Sequence, residues 1–175
     1  MGTKNRMKTS IGLLAACLLA FSCGYRLRGT ASYLPPHIKK IAVPMFKNLS
    51  TRFELDLKLT RAVIDEMVAR AKVEVMAEET KGDAVLLGEI QLFTVNPIAF
   101  SGEAAADRYK ITVVAKIVLR DLVNQKVLFS DSHFVYEKQY EVAEGSDFES
   151  AETEAIGEVA EEFARTVVGN ILEGF

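Results

Sequence analysis

The sequence is poor in the residues that carry catalysis or hold metals. Its 175 residues include no tryptophan, and imidazole and thiol groups come only from His37, His133, Cys17 and Cys23. The chain contains no zinc-binding spacing, phosphate-binding glycine loop or nucleophile elbow. We therefore expect a protein without enzymatic activity, without a metal and without a bound cofactor.

Both cysteines lie close to the amino terminus, and no cysteine follows them. This position excludes a disulfide framework in the rest of the chain. Residues 11–21 form an apolar run that is preceded by the basic residues Lys4, Arg6 and Lys8. Because a helix needs roughly 20 apolar residues to cross a bilayer, this shorter run is typical of a cleaved secretory signal.

A cysteine at the end of such a signal is where bacteria attach lipid. The sequence LAAC ending at Cys17 fits the acceptor pattern, but it leaves an apolar core shorter than the roughly 7 to 15 residues that such cores need. We predict that residues 1–22 are the signal peptide and that Cys23 carries a diacylglycerol thioether and an N-acyl chain. Cys17 is the less favoured lipid site, and an ordinary signal peptide with two incidental cysteines is the alternative.

The residue after Cys23 is Gly24 rather than aspartate, which in many Gram-negative bacteria retains lipoproteins at the inner membrane. Its absence favours the outer membrane, on the periplasmic side. Removal of residues 1–22 takes away three of the 21 basic residues and none of the 24 acidic ones. The acidic balance that results argues against nucleic acid as a partner.

The remaining chain has the length of one domain, which we place at residues 37–175 after a tether at residues 23–36. Residues 37–46 resemble a first strand, and Pro44 indicates an edge or a strand end. Thr51 and Glu54 have the spacing of a capping box and predict a helix that ends near Arg70. Short strands are predicted at residues 73–76 and 84–93, the second with Ala84, Leu86, Gly88, Ile90 and Leu92 on one face.

Residues 108–121 show the clearest alternation of the chain and predict a strand with one buried face. Asn124 and Gln125 predict the turn into an antiparallel partner at residues 127–140. Ser146 and Glu149 have a second capping-box spacing, before a helix that ends near Leu172. We predict an α+β fold, a two-layer sandwich with two helices on one face of a mixed, largely antiparallel sheet of about four strands.

The stretch from Cys23 to Gly29, with the sequence CGYRLRG, the following Leu34-Pro35 and the strand sequence IAVP at residues 41–44 resemble the LptE family of lipopolysaccharide-assembly lipoproteins. The order of the predicted elements agrees with that family along the mature chain. The resemblance implies an outer-membrane lipoprotein that plugs the β-barrel of LptD, assists the assembly of that barrel and binds lipopolysaccharide during its insertion into the outer leaflet.

The candidate contact residues follow from the predicted strand at residues 108–121. Its polar face carries a basic strip, formed by Arg108, Lys110, Lys116 and Arg120, which suits phosphates or sugar carboxylates. The alternative is an ordinary solvated sheet face. Phe100 lies in residues 96–103, which we predict to be an exposed loop. In the resembling family this loop often pairs an aromatic with a basic residue, and here Arg108 or Lys110 would have to replace the missing cation.

Two other classes of function remain open. The chain could be a lipid-anchored periplasmic module that binds a small ligand or another envelope protein, which would require a deep apolar pocket. It could also be an envelope hydrolase whose cleft collects His133 with acidic groups. For His133 itself, the sequence favours a hydrogen-bonded structural role within a strand.

Overall fold

Three long antiparallel strands form the centre of the fold. The computed structural model describes residues 34–101, 105–143 and 147–174. The elements follow the order β1 (Lys40–Ala42), β2 (Lys47–Asn48), α1 (Leu55–Arg70), β3 (Glu74–Met76), a short 3-10 helix (Glu79–Lys81), β4 (Ala84–Ser101), β5 (Ala105–Asp121), β6 (Lys126–Glu141) and α2 (Phe148–Glu173). The predicted signal peptide, Cys17, Cys23 and nearly all of the tether lie outside the described residues.

In the part of the chain that the structure describes, the sheet has six strands rather than about four. Its order is β3-β1-β4-β5-β6, with β2 beside β4. The short strands pair in parallel, and the long ones pair antiparallel, so the mixed sheet is confirmed. The single predicted first strand is instead two short ones with Pro44 between them. Because proline cannot donate to a ladder, β1 ends before it and β2 begins after it.

Both helices cover the same face of the sheet. Their apolar sides supply Leu59, Val63, Phe163 and Val167 to a core that also holds Ile41, Ile90, Ile111 and Ile117 from the strands. Arg52 pairs with Glu152 near the starts of the two helices, and Arg70 pairs with Glu173 at their ends. The helices therefore run parallel, and the two-layer α+β prediction is confirmed.

The capping box predicted at Thr51 and Glu54 does not form. The backbone of Glu54, which precedes α1, has a φ of 58°, and no side chain in the described ranges caps that helix. The loop before it is closed instead by Asn48, whose side chain binds the backbone of Arg52 and of Ser50. Helix α2 is capped by Asp147, whose carboxylate accepts from the Ser150 amide at 2.9 Å. Ser146 lies outside the described residues.

Strand β4 is longer than predicted, and its face changes near the middle. A register shift between Ile90 and Leu92 interrupts its pairing with β5. An extra residue in a strand reverses the side to which later side chains point. Leu92, predicted to be buried, is therefore 46% exposed, while Phe93 and Val95 pack on the core. The predicted loop at residues 96–103 is wrong, since β4 continues to Ser101.

Candidate functional site

The sheet face opposite the two helices carries the predicted basic strip, and we call it the open face. Along β5, Ile111, Val113 and Ala115 are fully buried against the helices. Arg108 and Lys110 alternate with these residues and lie on the open face, as do Lys116 and Arg120. The predicted alternation of β5 is confirmed. We call the end of the sheet near Ser101 the hairpin end, and the end at residues 122–125 the turn end.

The two cations nearest the hairpin end are paired with β6. Arg108 donates to Glu141 Oε1 from Nη2 at 2.9 Å and from Nε at 3.2 Å. Lys110 Nζ donates to Glu137 Oε1 at 3.0 Å, and this hydrogen bond lowers the pKa of the Glu137 carboxyl. Exposed ion pairs of this kind are worth at most about 1 kcal/mol. They can therefore be exchanged for a ligand or a partner at little cost.

The two cations nearest the turn end lack such pairs. Within the described ranges, neither Lys116 nor Arg120 has a carboxylate within ion-pair distance. Both line an open groove of about 340 Å³ with Lys47, Leu87 and Val118. Lys47 Nζ donates to Glu89 Oε2 at 3.3 Å at the margin of this groove. The structure thus divides the basic strip into a neutralised half and a free half.

An apolar row separates these two halves. Leu92, Val114 and Val135 lie opposite one another on β4, β5 and β6. Leu92 and Val135 are nearly half exposed, and Val114 between them is 6% exposed. Exposed apolar side chains between cations are typical of a surface that contacts amphiphiles or protein. Sequence reasoning missed this row, because the bulge in β4 turns Leu92 towards it.

At the hairpin end, Phe100 is 66% exposed and Ile98 is 41% exposed. The register places Ala99 opposite Arg108 and Phe100 opposite Ala106. Arg108 therefore faces Ala99, the residue before the exposed aromatic residue, across the two strands. Tyr109 contacts Phe148, the first residue of α2, with ring centroids 4.9 Å apart. The described ends of β4 and β5 consequently continue past the start of that helix.

A cluster that the sequence did not predict lies beneath this hairpin. Tyr109 stacks on Tyr140 with centroids 5.5 Å apart. The Tyr140 hydroxyl is buried without a hydrogen-bond partner among the described residues, and burial raises its pKa to about 12. Arg52 joins Glu152 at 3.1 Å and lies over the Phe93 ring at 6.0 Å. These contacts fix the base of the hairpin. Of these residues, only the two tyrosines could have been predicted from the strand pattern of the sequence.

The turn end holds a second polar cluster. Asp121 accepts from the amides of Val123 and Asn124 at 2.9 and 3.0 Å, and His37 Nε2 lies 2.8 Å from its Oδ2. The hydrogen bond from the Asn124 amide is the main cause that lowers the pKa of Asp121 to about 2. This arrangement closes the β5–β6 turn and holds the beginning of the domain against it. The described residues contain no group of three or more potential metal ligands.

His133 lies on the surface of β6, where its backbone amide donates to Asp131 Oδ1 at 2.9 Å. Within the described part of the chain its ring makes no hydrogen bond or ion pair, so the hydrogen-bonded structural role expected for this side chain is wrong. No helix among the described residues is long and apolar enough to span a membrane. No curated protein matches the chain in sequence.

Several solved structures share the fold at low sequence identity. A protein from Xanthomonas campestris has a TM-score of 0.53 and 13% identity, over 77% of this chain and 84% of its own. A hypothetical protein from Chlamydia trachomatis has a TM-score of 0.52 and 11% identity, over 77% of this chain and 96% of its own. An uncharacterized lipoprotein from Nitrosomonas europaea has a TM-score of 0.50 and 11% identity, over 85% of this chain and 90% of its own.

The match that goes beyond fold comes from a family model. The model described as LptE, lipopolysaccharide-assembly, matches residues 38–171. Among the described elements, this range includes every strand and helix except the last two residues of α2. The chain belongs to the LptE lipopolysaccharide-assembly family.

Proposed function

We propose that this protein is an outer-membrane lipoprotein that acts as the plug of an LptD-type β-barrel. In this role it assists assembly of the barrel and the insertion of lipopolysaccharide into the outer leaflet. The observation that carries the proposal is the family match across residues 38–171. The role is one of binding and positioning, without catalysis.

The hairpin end supports a contact with the barrel or with lipopolysaccharide. Phe100 and Ile98 expose apolar surface there, and Arg108 lies opposite Ala99, the residue between them. The Arg108 guanidinium can exchange Glu141 for a phosphate, because a charge-assisted bond to phosphate replaces the one that it gives up. Lys110 can exchange Glu137 in the same way. The basic strip and Phe100 together can therefore contact both apolar and anionic groups.

The membrane attachment belongs to the same proposal. Lipid on Cys23 would hold the domain on the periplasmic side of the outer membrane. More than one acyl chain makes such anchoring stable, at about 0.8 kcal/mol per buried methylene. Lys116 and Arg120 are the strip's remaining candidate contacts for lipopolysaccharide or a partner.

The groove beside Lys116 and Arg120 favours a second candidate, a lipid-anchored periplasmic module for a small anionic ligand or another envelope protein. Its floor of Leu87 and Val118 and its cations suit a ligand with an apolar and an acidic part. The groove is open to solvent on the sheet face, whereas small-molecule sites usually enclose most of the ligand surface. We therefore place this candidate second.

The experiment is purification of the lipidated protein from detergent-solubilised membranes, followed by mass spectrometry of what accompanies it. We expect a near-stoichiometric LptD-type barrel. A double variant, Phe100→Ser with Arg108→Glu, should reduce the recovery of the barrel several-fold. Val68→Ser, which alters an exposed apolar residue on α1, is the matched control and should leave recovery unchanged. Recovery of the protein alone would overturn the plug role and favour the ligand-binding module.

A further inference from the structure

Strand β6 forms one edge of the sheet. It is the last strand in the order β3-β1-β4-β5-β6, so within the described part of the chain its outer side has no neighbouring strand. Its 16 residues make it about three times as long as a usual strand. An edge strand presents a row of backbone N–H and C=O groups that can pair with another chain, and proteins usually shorten, charge, bulge or cover such an edge.

The half of β6 next to the turn end is protected by a bulge. Its register with β5 shifts between Ala115 and Ile117. Opposite this shift the His133 amide donates to Asp131 Oδ1 at 2.9 Å, so that donor is already occupied. A bulge with an occupied amide disfavours the addition of another strand to this half.

Residues 134–141, next to the hairpin end, lack these protections, and we call them the regular half of β6. They pair with β5 without a register shift and contain neither proline nor glycine. Lys138 does not present its charge to the edge, because its Nζ lies 2.9 Å from Glu162 and 3.1 Å from Glu158 on α2. The Phe134 ring packs on Phe163 of the same helix, with centroids 5.2 Å apart. The regular half is therefore held in place and needs little ordering before it pairs.

The side chains on the open face indicate which kind of segment fits this edge. The apolar row of Leu92, Val114 and Val135 ends there. Val114, with a strand on each side, is 6% exposed, whereas Val135 is 47% exposed. An added strand would place a side chain about 5 Å from Val135. The carboxylates of Glu137 and Glu141 on the same face remain 48% and 72% exposed, which favours basic neighbours.

We propose that the regular half of β6 pairs with an extended segment of the β-barrel partner, which adds a strand to the sheet. The inference rests on the proposed function, in which the barrel surrounds this domain. Because the strands of a closed barrel wall already pair with one another, the segment is a loop or a chain end within the lumen. It carries an apolar side chain opposite Val135 and a basic one opposite Glu137. Backbone hydrogen bonds supply the affinity of such a contact, and alternate side chains supply its specificity.

Hydrogen–deuterium exchange at single-residue resolution tests the pairing. It is measured on the copurified complex and on the lipidated protein alone, both in detergent. Alternate residues of a strand direct their amides to opposite sides. We expect about half of the amides in residues 134–141 to exchange about tenfold more slowly in the complex, and residues 126–131 to keep their rates. Unchanged rates in a complex that contains the barrel would overturn the pairing and leave the plug role standing.

Two valines of β6 supply a matched comparison. Val127 and Val135 both lie on the open face and are 48% and 47% exposed, but Val127 belongs to the bulged half. Val135→Lys should reduce recovery of the barrel several-fold, because its ammonium would face the apolar and basic side chains of the added segment. Val127→Lys should leave recovery unchanged, and both variants should unfold at similar urea concentrations. Equal recovery with the two variants would overturn the pairing.

Two further outcomes would assign the edge to another occupant. Slow exchange of the same amides in the protein alone, with a dimer in analytical ultracentrifugation, would show that a second copy pairs with β6. Slow exchange on addition of lipopolysaccharide without the barrel would show that this ligand covers the edge. Either result would overturn the barrel segment as the occupant. If no barrel accompanies the wild-type protein, the proposed function fails, and this inference fails with it.

Discussion

The side chains of His37 and Asp121 meet at 2.8 Å across 84 residues of sequence. Their contact joins the first residues of the domain to the β5–β6 turn, where Asp121 also accepts two backbone amides. A carboxylate that is buried and used in this way is stabilised in its ionised form. The pKa of Asp121 is accordingly lowered from 3.8 to about 2, first by the amide of Asn124.

The first prediction concerns how the stability of the fold changes at acidic pH. Because the pKa of Asp121 is lower in the folded state, its ionisation stabilises the fold above about pH 4, and this contribution disappears as the pH falls from 3.8 towards 2. Asp121→Asn should therefore unfold at lower urea concentration than the wild type at pH 7, and the difference should shrink as the pH falls through that window. Asp65→Asn, at an exposed residue of α1, is the control. A difference that stays constant with pH would contradict the prediction.

A second prediction compares two tyrosines of β6. The buried hydroxyl of Tyr140 has no partner among the described residues, whereas the hydroxyl of Tyr136 donates to Glu162. Removing an unsatisfied buried hydroxyl is neutral or favourable, while removing a donor to a carboxylate loses a hydrogen bond. Tyr140→Phe should leave the free energy of unfolding unchanged or raise it by up to about 1 kcal/mol, and Tyr136→Phe should lower it by about 1 kcal/mol. Urea titration of both variants measures this, and a clear loss in Tyr140→Phe would reveal a partner for its hydroxyl.

A third prediction concerns the ion-pair network between β6 and α2. Lys138 Nζ lies 2.9 Å from Glu162 and 3.1 Å from Glu158. The hydrogen bond from Lys138 is the main cause that lowers the pKa of Glu162. The stabilisation that the ionised Glu162 provides is thus present above its ordinary pKa of 4.5 and is lost as the pH falls below that value. Lys138→Met should lower the free energy of unfolding by less than about 1 kcal/mol at pH 7, because the pair is partly exposed. The loss should be smaller still at acidic pH. An undiminished loss in acid would contradict this explanation.

The sequence predicted β5 and its turn correctly because their signals are local and repeated. Alternation with a period of two runs along the strand from Tyr109 to Leu119, and Gln125, in the turn, takes a φ of 55°. The burial of Leu92 could not be predicted in the same way. One bulged residue reverses the face, and its position is defined by the register with β5, which the alternation within β4 does not give.

The candidate site was likewise predicted in part. The four cations of β5 follow from its alternation, but their division into paired and free halves does not. Arg108 and Lys110 are neutralised by Glu141 and Glu137 of the neighbouring strand, which depends on the register of the β5–β6 hairpin. Thr51 failed as a helix cap for a similar reason, since Asn48 closes that loop through contacts four residues away.

The last prediction contrasts two glycines. In α2, a methyl group added at Gly157 meets no atom within 4 Å, so alanine adds helix propensity and reduces the freedom of the unfolded chain at no steric cost. In β4, the same methyl group at Gly88 would lie 2.5 Å from the buried ring of Phe46. Gly157→Ala should raise the free energy of unfolding by about 0.5 to 1 kcal/mol, and Gly88→Ala should lower it by about 1 to 3 kcal/mol.

Thermal and urea unfolding of these two variants test the packing of both layers of the fold. The same substitution is made in each case, so a difference in sign must come from the surroundings of the two glycines. If Gly88→Ala were neutral, Phe46 would have to move away from β4, and the core beneath the open face would be looser than the contacts of its ring imply. If Gly157→Ala were destabilising, the groove between the helices at that glycine would be closed rather than open.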